Sequence, residues 1–387
     1  MPTASTLKIA LQNRTASNRV YAYVTGRAID NNNALFLLRN DGRTAYYPTS
    51  PVLIGSPLTQ DCSIHLGPPN STITVTVPHL AGARIWFAVD DQLVFKLNPG
   101  PALVEPSVTN PSDPNIHINW GFAEFTYDDH QLFANITYVD FVSLPISLTL
   151  ASNDSRRPIQ NVTGIPANGL DMICYLLRAQ DAIDKAGWSS LIVPRNGGNL
   201  RALSPNNGIV MNPSLFRDYY KSYVDQVWEK YSHMPLSIDT QSGFSTIAGR
   251  VINGMLVLGH ETFEKPSAKD IFSCSTGPFE ERGSPERAAL IPRLSAAFNR
   301  STLLVDDIIP NTPRDAYFRN AITNHYARIV HGINLDQRGY AFPYDDVGPF
   351  GGHDESGSVS DGDPQLLTVS VGGARPFSVG PPLKAQL

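Results

Sequence analysis

Two lone carboxylates stand in otherwise apolar stretches of the sequence, Glu124 in WGFAEFT (120–126) and Asp140 in YVDFV (138–142). Burying an unpaired acid in a strand costs several kcal/mol, so each side chain must face solvent, a partner or a cleft. Glycosidases hold two carboxyl groups on either side of the bond to be cut, and apolar surroundings help to keep one of them protonated. Such a pair could therefore act on a glycosidic bond. The alternative is an ordinary pair of outward-facing strand residues.

Signatures of other chemistries are missing or incomplete. The sequence has no G-x-S-x-G elbow and no phosphate-binding G-x-x-x-x-G-K-[ST] loop. Segment 260–264 (HETFE) lacks the second histidine of a zinc helix, and the acidic segment 354–363 does not have EF-hand spacing. We therefore predict no metal site.

The cysteines are Cys62, Cys174 and Cys274. Three cysteines form at most one disulfide, so no disulfide framework holds the fold, and their spacing is too wide for a CxxC metal site. Buried free thiols are the favoured interpretation.

The acids must be positioned by strands, because the first part of the chain alternates like a β-protein. Short β-rich stretches punctuated by turns are typical of a sandwich or barrel, and they occur at 20–24, 35–38, 71–77, 84–89, 116–126 and 132–141. Helical periodicity follows, and it predicts helices over 170–186, 214–231, 284–300 with a kink at Pro292, and 312–330.

This order predicts a mainly β protein with a mixed α/β part. We expect a β-barrel domain over 1–155, completed by C-terminal strands at about 336–373, a mixed α/β domain over 156–335 and a tail at 374–387. A length of 387 residues is in keeping with two domains.

Composition narrows the partners. The net charge of −5 gives no attraction to a polyanion, so we expect no nucleic acid partner, and no apolar run reaches the length of a membrane span. A neutral polymer fits this surface. No signal peptide is recognisable at the N-terminus, and nothing requires more than a monomer.

Several blocks of sequence resemble glycoside hydrolase family 64, the laminaripentaose-producing β-1,3-glucanases. The central blocks are EFT (124–126) and NITYVDFVSLPISL (135–148). Flanking and more distant blocks also fit, namely RIWFAVDDQLVFKLN (84–98), PSVTNPSDPN (106–115), IFSCSTGPF (271–279) and GYAFPYDDVG (339–348). The resemblance extends from about residue 7 to about residue 373.

The resemblance implies a thaumatin-like architecture, in which a β-barrel domain and an α/β domain form a wide groove. It implies an inverting endo-β-1,3-glucanase, with Glu124 as the general acid and Asp140 as the general base. No metal or organic cofactor is implied, and the expected partner is β-1,3-glucan. The expected location is extracellular or in the cell wall.

Six residues are candidates for binding the sugar. Thr126 shares a strand face with Glu124, and carboxylates such as those of Asp345 and Asp346 can accept hydrogen bonds from sugar hydroxyls. The full set is Thr126, Asp128, Phe133, Tyr344, Asp345 and Asp346. Phe133 and Asp128 depart from the family pattern, which has tryptophan and asparagine there, and these changes bear on the strength of the nearest sugar subsites and on the strict pentamer product.

Two alternatives stay open beside the glucanase hypothesis. A non-catalytic thaumatin-like protein that binds β-glucan would keep the groove without needing an acid and a base. The same chemistry could also serve an intracellular or cell-wall-remodelling role, which the unrecognised signal peptide would favour. Substitution of Glu124 and Asp140 separates catalysis from simple binding.

Overall fold

The computed structural model describes residues 2–352 and 354–373 of the chain. Its strands are β1 (Thr6–Asn13), β2 (Val20–Ala28), β3 (Ala34–Leu38), β4 (Ala45–Tyr46), β5 (Ser56–Pro57), β6 (Ile64–His65), β7 (Thr72–Pro78), β8 (Leu80–Val89), β9 (Lys96–Asn98), β10 (Ala102–Val104), β11 (Asn119–Tyr127), β12 (Leu132–Ile136), β13 (Phe141–Val142), β14 (Ile146–Ser152), β15 (Gln160–Val162), β16 (Ile192–Arg195), β17 (Gly198–Leu203), β18 (Leu236–Asp239), β19 (Thr246–Ile252), β20 (Met255–Leu258), β21 (Glu261–Phe263), β22 (Ile308–Ile309), β23 (Ser358–Asp361) and β24 (Pro364–Val371).

Two large sheets are built mainly from the first part of the chain. The larger has the order β23-β12-β11-β8-β2-β3-β4, with β6 paired to β2, and the other has the order β15-β14-β24-β1-β7. Alternate residues of both sheets enter one hydrophobic core, among them Leu7 and Leu11 of β1 and Ala123 and Phe125 of β11. The protein is therefore mostly β, with its main core fed by both sheets.

The last described strands return to these sheets. Strand β24 lies between β1 and β14 and is parallel to β1, whereas β23 pairs with β12 at the edge of the larger sheet. The positions of the domain boundaries remain a prediction, because the main core continues from the sheets into the helical part through residues such as Ile173 and Trp188. The predicted tail at 374–387 lies outside the described residues.

The helices are α1 (Gly169–Asp184), α2 (Pro205–Met211), α3 (Lys221–His233), α4 (Ala268–Ser273), α5 (Pro285–Arg300) and α6 (His325–Ile333). Helix α5 begins where predicted, because the Ser284 side chain accepts a hydrogen bond from the Arg287 amide and Pro285 occupies the first turn. Helix α1 buries Ile173, Cys174 and Leu177, which lie on one face.

Two predicted helices are shorter than the sequence indicated. Helix α3 begins at Lys221 rather than 214, since Phe216 has a left-handed φ of 59°, which a continuing helix cannot accommodate. Helix α6 begins at His325 rather than 312, because Phe318 also has a φ of 59° and the Asn324 side chain caps the helix by accepting from the Ala327 amide.

Candidate active site

Strand β11 presents Glu124 on the face of the larger sheet that points away from the main core. Trp120 and Phe122, which share this face by alternation, pack in an aromatic cluster (Tyr23, Trp86, Trp120, Phe122 and Phe141). Beyond these rings the same face becomes polar, and the Glu124 side chain is 35% exposed. Its register partners are Arg84 on β8 and Asn135 on β12. The carboxyl group thus lies between the aromatic cluster and solvent.

Arg84 holds Glu124 and a second acid at the same time. Its guanidinium lies 4.8 Å from the centre of the Phe122 ring and 5.4 Å from that of Trp86, so the aromatic cluster supports it from below. Its Nε donates to Glu124 Oε1 at 3.2 Å, and its Nη1 donates to Glu105 Oε2 at 2.5 Å. One cation therefore bridges two carboxylates.

Glu105 is a member of this site that our sequence analysis missed. It follows strand β10 and is half-buried, and burial raises the pKa of its carboxyl group. The nearby Arg84 charge lowers that pKa, while the charges of Glu124 and Asp140 raise it. All three carboxyl groups thus share one electrostatic environment. Only its position between two family-like blocks, 84–98 and 106–115, could have drawn attention to it.

Asp140 lies in the connection between β12 and β13, not inside a strand as its apolar neighbours had indicated. The backbone there is firmly held, because the Asp140 carbonyl accepts from the Ser204 amide at 2.9 Å and from Asn207 Nδ2 at 3.0 Å. Tyr326 Oη also donates to the carbonyl of Tyr138 at 2.7 Å. The side chain is partly exposed, so the carboxylate is available to a water molecule.

Thr126 and Phe133 face each other across the β11–β12 pair, next to Glu124. Phe133 is 41% exposed, so its side chain is accessible to a ligand. Asp128 lies further along, in the hairpin turn, where its Oδ1 accepts from the amides of His130 and Gln131. These bonds lower the pKa of Asp128 and give its carboxylate a structural role in the turn.

The segment GYAFPYDDVG is brought to the same region by the β12–β13 connection. The Tyr138 amide donates to the carbonyl of Tyr340 at 2.7 Å, and Thr137 pairs with Tyr340 in an isolated bridge. Asp346 is exposed and accepts from Tyr340 Oη at 3.4 Å, and Tyr344 is half-buried. Both residues are accessible to a ligand.

Asp345 differs from its neighbour, and the prediction that it binds sugar hydroxyls needs correction. It is 0% exposed, and its Oδ1 accepts from Arg300 Nη2 at 3.0 Å. Its Oδ2 accepts from His331 Nε2 at 2.8 Å and from the Ala341 amide at 2.9 Å. Both oxygens are therefore turned inward to protein donors, and Asp345 acts as an anchor of the loop that carries Asp346.

The described part of the chain has no group of three or more His, Cys, Asp or Glu side chains arranged to hold a metal ion. Its three cysteines are free and buried. No helix among residues 2–352 and 354–373 is both long and apolar enough to cross a bilayer.

Comparison with known proteins gives this arrangement a context. A family model described as beta-1,3-glucanase matches residues 5–371. The chain belongs to glycoside hydrolase family 64. A glucan endo-1,3-beta-glucosidase of Arthrobacter sp. (strain YCWD3) is 27% identical over 325 residues, which are 80% of this chain and 56% of that protein. One of Cellulosimicrobium cellulans is 27% identical over 312 residues, 78% of this chain and 54% of that protein. This family 64 chain thus spans about half the length of the curated relatives it matches.

Solved structures of beta-1,3-glucanases match almost the whole chain. A laminaripentaose-producing beta-1,3-glucanase in complex with laminaritetraose has a TM-score of 0.85 and 28% identity, and the match covers 95% of this chain and 99% of that one. A beta-1,3-glucanase domain from Clostridium beijerinckii has a TM-score of 0.71 at 20% identity, covering 96% of this chain and 99% of that one, and supports the fold alone.

Proposed function

We propose that this chain is an inverting endo-β-1,3-glucanase that releases short glucose oligomers, chiefly laminaripentaose. The observation that carries the proposal is that Glu124, on β11, and Asp140, just after the neighbouring strand β12, are both partly exposed, and that their charges both raise the pKa of Glu105. Membership of family 64 supplies the bond type, and similarity to a laminaripentaose-producing glucanase suggests the product.

In the proposed reaction, Glu124 is the general acid and Asp140 is the general base. Asp140 takes a proton from a water molecule whose oxygen bonds to the anomeric carbon on the face opposite the leaving group. The glycosidic C–O bond breaks as Glu124 gives its proton to the leaving oxygen, so the product has the α configuration. An inverting pair needs carboxyl groups about 6.5–9.5 Å apart to leave room for this water.

We assign the binding of the glucan to the polar face of the larger sheet and the adjoining loop. The open ring of Phe133 supports stacking on a sugar face, beside Thr126. Both Asp346 and Tyr344 are accessible. The Asp346 carboxylate can accept hydrogen bonds from sugar hydroxyl groups, and the Tyr344 hydroxyl can donate to them or accept from them. Asp128 is at the hairpin end of this face and would contact only a sugar bound there.

The broader setting follows from the same proposal. We place the glucan in a groove between a thaumatin-like β part and the helical part, and we expect the enzyme to act as a monomer. We expect an extracellular location, since its substrate is a cell-wall type of polysaccharide.

The test compares hydrolysis of a linear β-1,3-glucan by Glu124→Gln, Asp140→Asn and Glu229→Gln variants. Glu229 is a matched control, because it lies on α3 with a side chain 77% exposed and its carboxylate bonds the exposed His233. We expect the first two variants to lose activity by about a thousandfold or more while still binding insoluble glucan, and the control to keep full activity. Unchanged hydrolysis by either site variant would refute its assigned role. A wild-type protein that binds glucan without cutting it would favour the non-catalytic alternative.

A further inference from the structure

A general acid next to an arginine poses an electrostatic problem. A neighbouring cation favours the ionised form of a carboxyl group, but the general acid must hold its proton when the substrate arrives. Arg84 Nε lies 3.2 Å from Glu124 Oε1, so this cation is within direct reach of the acid. A fixed negative charge on the other side of the arginine would resolve the conflict.

Glu105 supplies that charge. Its Oε2 lies 2.5 Å from Arg84 Nη1, which makes it the closer of the two carboxyl partners of the guanidinium. The guanidinium also lies over the Phe122 and Trp86 rings, and these contacts favour its position between the two acids. A guanidinium also has a rigid planar fork of donors, so it can serve two carboxyl groups on different edges.

We propose that Arg84 and Glu105 are a positioning pair that sets the pH range over which Glu124 keeps its proton. The proposal rests on the role of Glu124 given under Proposed function. With Glu105 ionised, the pair is neutral, so Glu124 does not face a net positive charge. When Glu124 loses its proton to the leaving group, the same Nε–H is in place to bond the new carboxylate.

Few other charges oppose this arrangement. Arg84 is the only charged residue of β8, Glu124 is the only one of β11, and β12 has none. The register partner of Glu124 on β12 is the neutral Asn135. Asp140, in the connection after β12, is a further charged group here, and its charge raises the pKa of Glu105. Among the charges on these strands, Arg84 is therefore the one in direct contact with Glu124, and Glu105 is its second carboxyl partner.

The experiment measures the pH dependence of kcat/KM for linear β-1,3-glucan hydrolysis in the full chain. In an inverting glycosidase the alkaline limb reports loss of the acid's proton. Glu105→Gln leaves the arginine charge unbalanced, so we expect this limb to move to lower pH. Arg84→Met leaves the Glu105 charge unbalanced, so we expect it to move to higher pH. We expect shifts of about half a pH unit or more, allowing for screening at groups that are roughly one third exposed.

Two further variants separate charge from structure. The double variant Arg84→Met/Glu105→Gln removes both charges, so its alkaline limb should return toward the wild-type pH even if its rate is low. Arg84→Lys keeps the charge and should keep the limb nearer its wild-type position than Arg84→Met, although it loses the fork. Limbs that stay in place in both single variants, or that move in the same direction, would overturn the proposal.

These outcomes are distinct from failure of the proposed function itself. If the wild-type chain does not hydrolyse the glucan, or if Glu124→Gln keeps its activity, the role of Glu124 is wrong and no pH limb can be assigned to it. If both of those tests support Glu124 and the alkaline limbs of Glu105→Gln and Arg84→Met still do not shift in opposite directions, only the positioning role of Arg84 and Glu105 is wrong.

Discussion

Replacing Asp345 with alanine should destabilise the protein far more than the same change at the adjacent Asp346. Asp345 is 0% exposed and accepts from Arg300, His331 and the Ala341 amide. Arg300 and His331 are themselves only 3% and 8% exposed, so they would be left as buried donors without their anion. Removing one partner of a buried ion pair costs about 3–5 kcal/mol, so we expect a loss of that size in the free energy of unfolding.

The assay is equilibrium unfolding in urea, followed by circular dichroism, with glucan hydrolysis measured on the folded protein. Asp346→Ala is the matched control, because this exposed side chain should change stability by no more than about 0.5 kcal/mol. It should instead raise KM, since we assign it to sugar binding. If Asp345→Ala kept wild-type stability and raised only KM, the anchoring role would be wrong, and the result would instead support the original prediction that Asp345 contacts the glucan.

The buried pair of Asp345 and His331 should make the free energy of unfolding depend on pH. Burial disfavours the charged form of each group, but the attraction and hydrogen bond between them prevail, so the pKa of His331 is raised and that of Asp345 is lowered. The His331 contribution is complete below its unfolded pKa of about 6.5 and is lost as pH rises through the folded pKa. The Asp345 contribution is complete above about 3.9 and is lost as pH falls through its folded pKa. Their joint contribution should be greatest between these values, and Asp345→Ala should flatten that dependence in urea titrations at different pH.

Further predictions concern Phe133, as a stacking surface for sugar, and the three buried thiols. Phe133→Ala should weaken glucan binding by about tenfold, or about 1.4 kcal/mol, by removing an open stacking surface without changing the fold, and Phe133→Trp should bind at least as well as the wild type. A loss of structure in the alanine variant, or unchanged affinity, would contradict this. Burial raises the pKa of the thiols of Cys62, Cys174 and Cys274 to about 12. We therefore expect all three to resist alkylation at pH 8 until the chain is unfolded, as measured by mass spectrometry. Rapid labelling of any of them in the native protein would contradict this prediction.

Much of the β part could be predicted from the sequence, because its signal is local. A lone acid in an apolar strand predicted that Glu124 would not be buried in the core, and its side chain is 35% exposed, on the face opposite the core residues Ala123 and Phe125. Turn residues and capping residues likewise predicted where α5 begins. The predicted helix starts at 214 and 312 were wrong. Phe216 and Phe318 have a left-handed φ, which phenylalanine rarely adopts, so their residue type does not indicate that a helix is interrupted there.

The remainder of the site depends on contacts between distant segments. Arg84 and Glu105 are 21 residues apart, and nothing in their local sequence shows that they form an ion pair beside Glu124. The two aspartates of the YDD segment look equivalent in sequence, yet one is buried against Arg300 and His331 and the other is exposed. Burial of this kind is set by packing of α5 and α6 against the loop, which periodicity cannot reveal.

The most direct test of the central claim is the anomeric form of the first products from a linear β-1,3-glucan, followed by proton NMR before mutarotation. The assignment of Glu124 as acid and Asp140 as base predicts that the α-anomer appears first and that the β-anomer grows in only as the sugars equilibrate. Initial release of the β-anomer would contradict the account, because it would require a covalent intermediate and a nucleophile in place of an activated water.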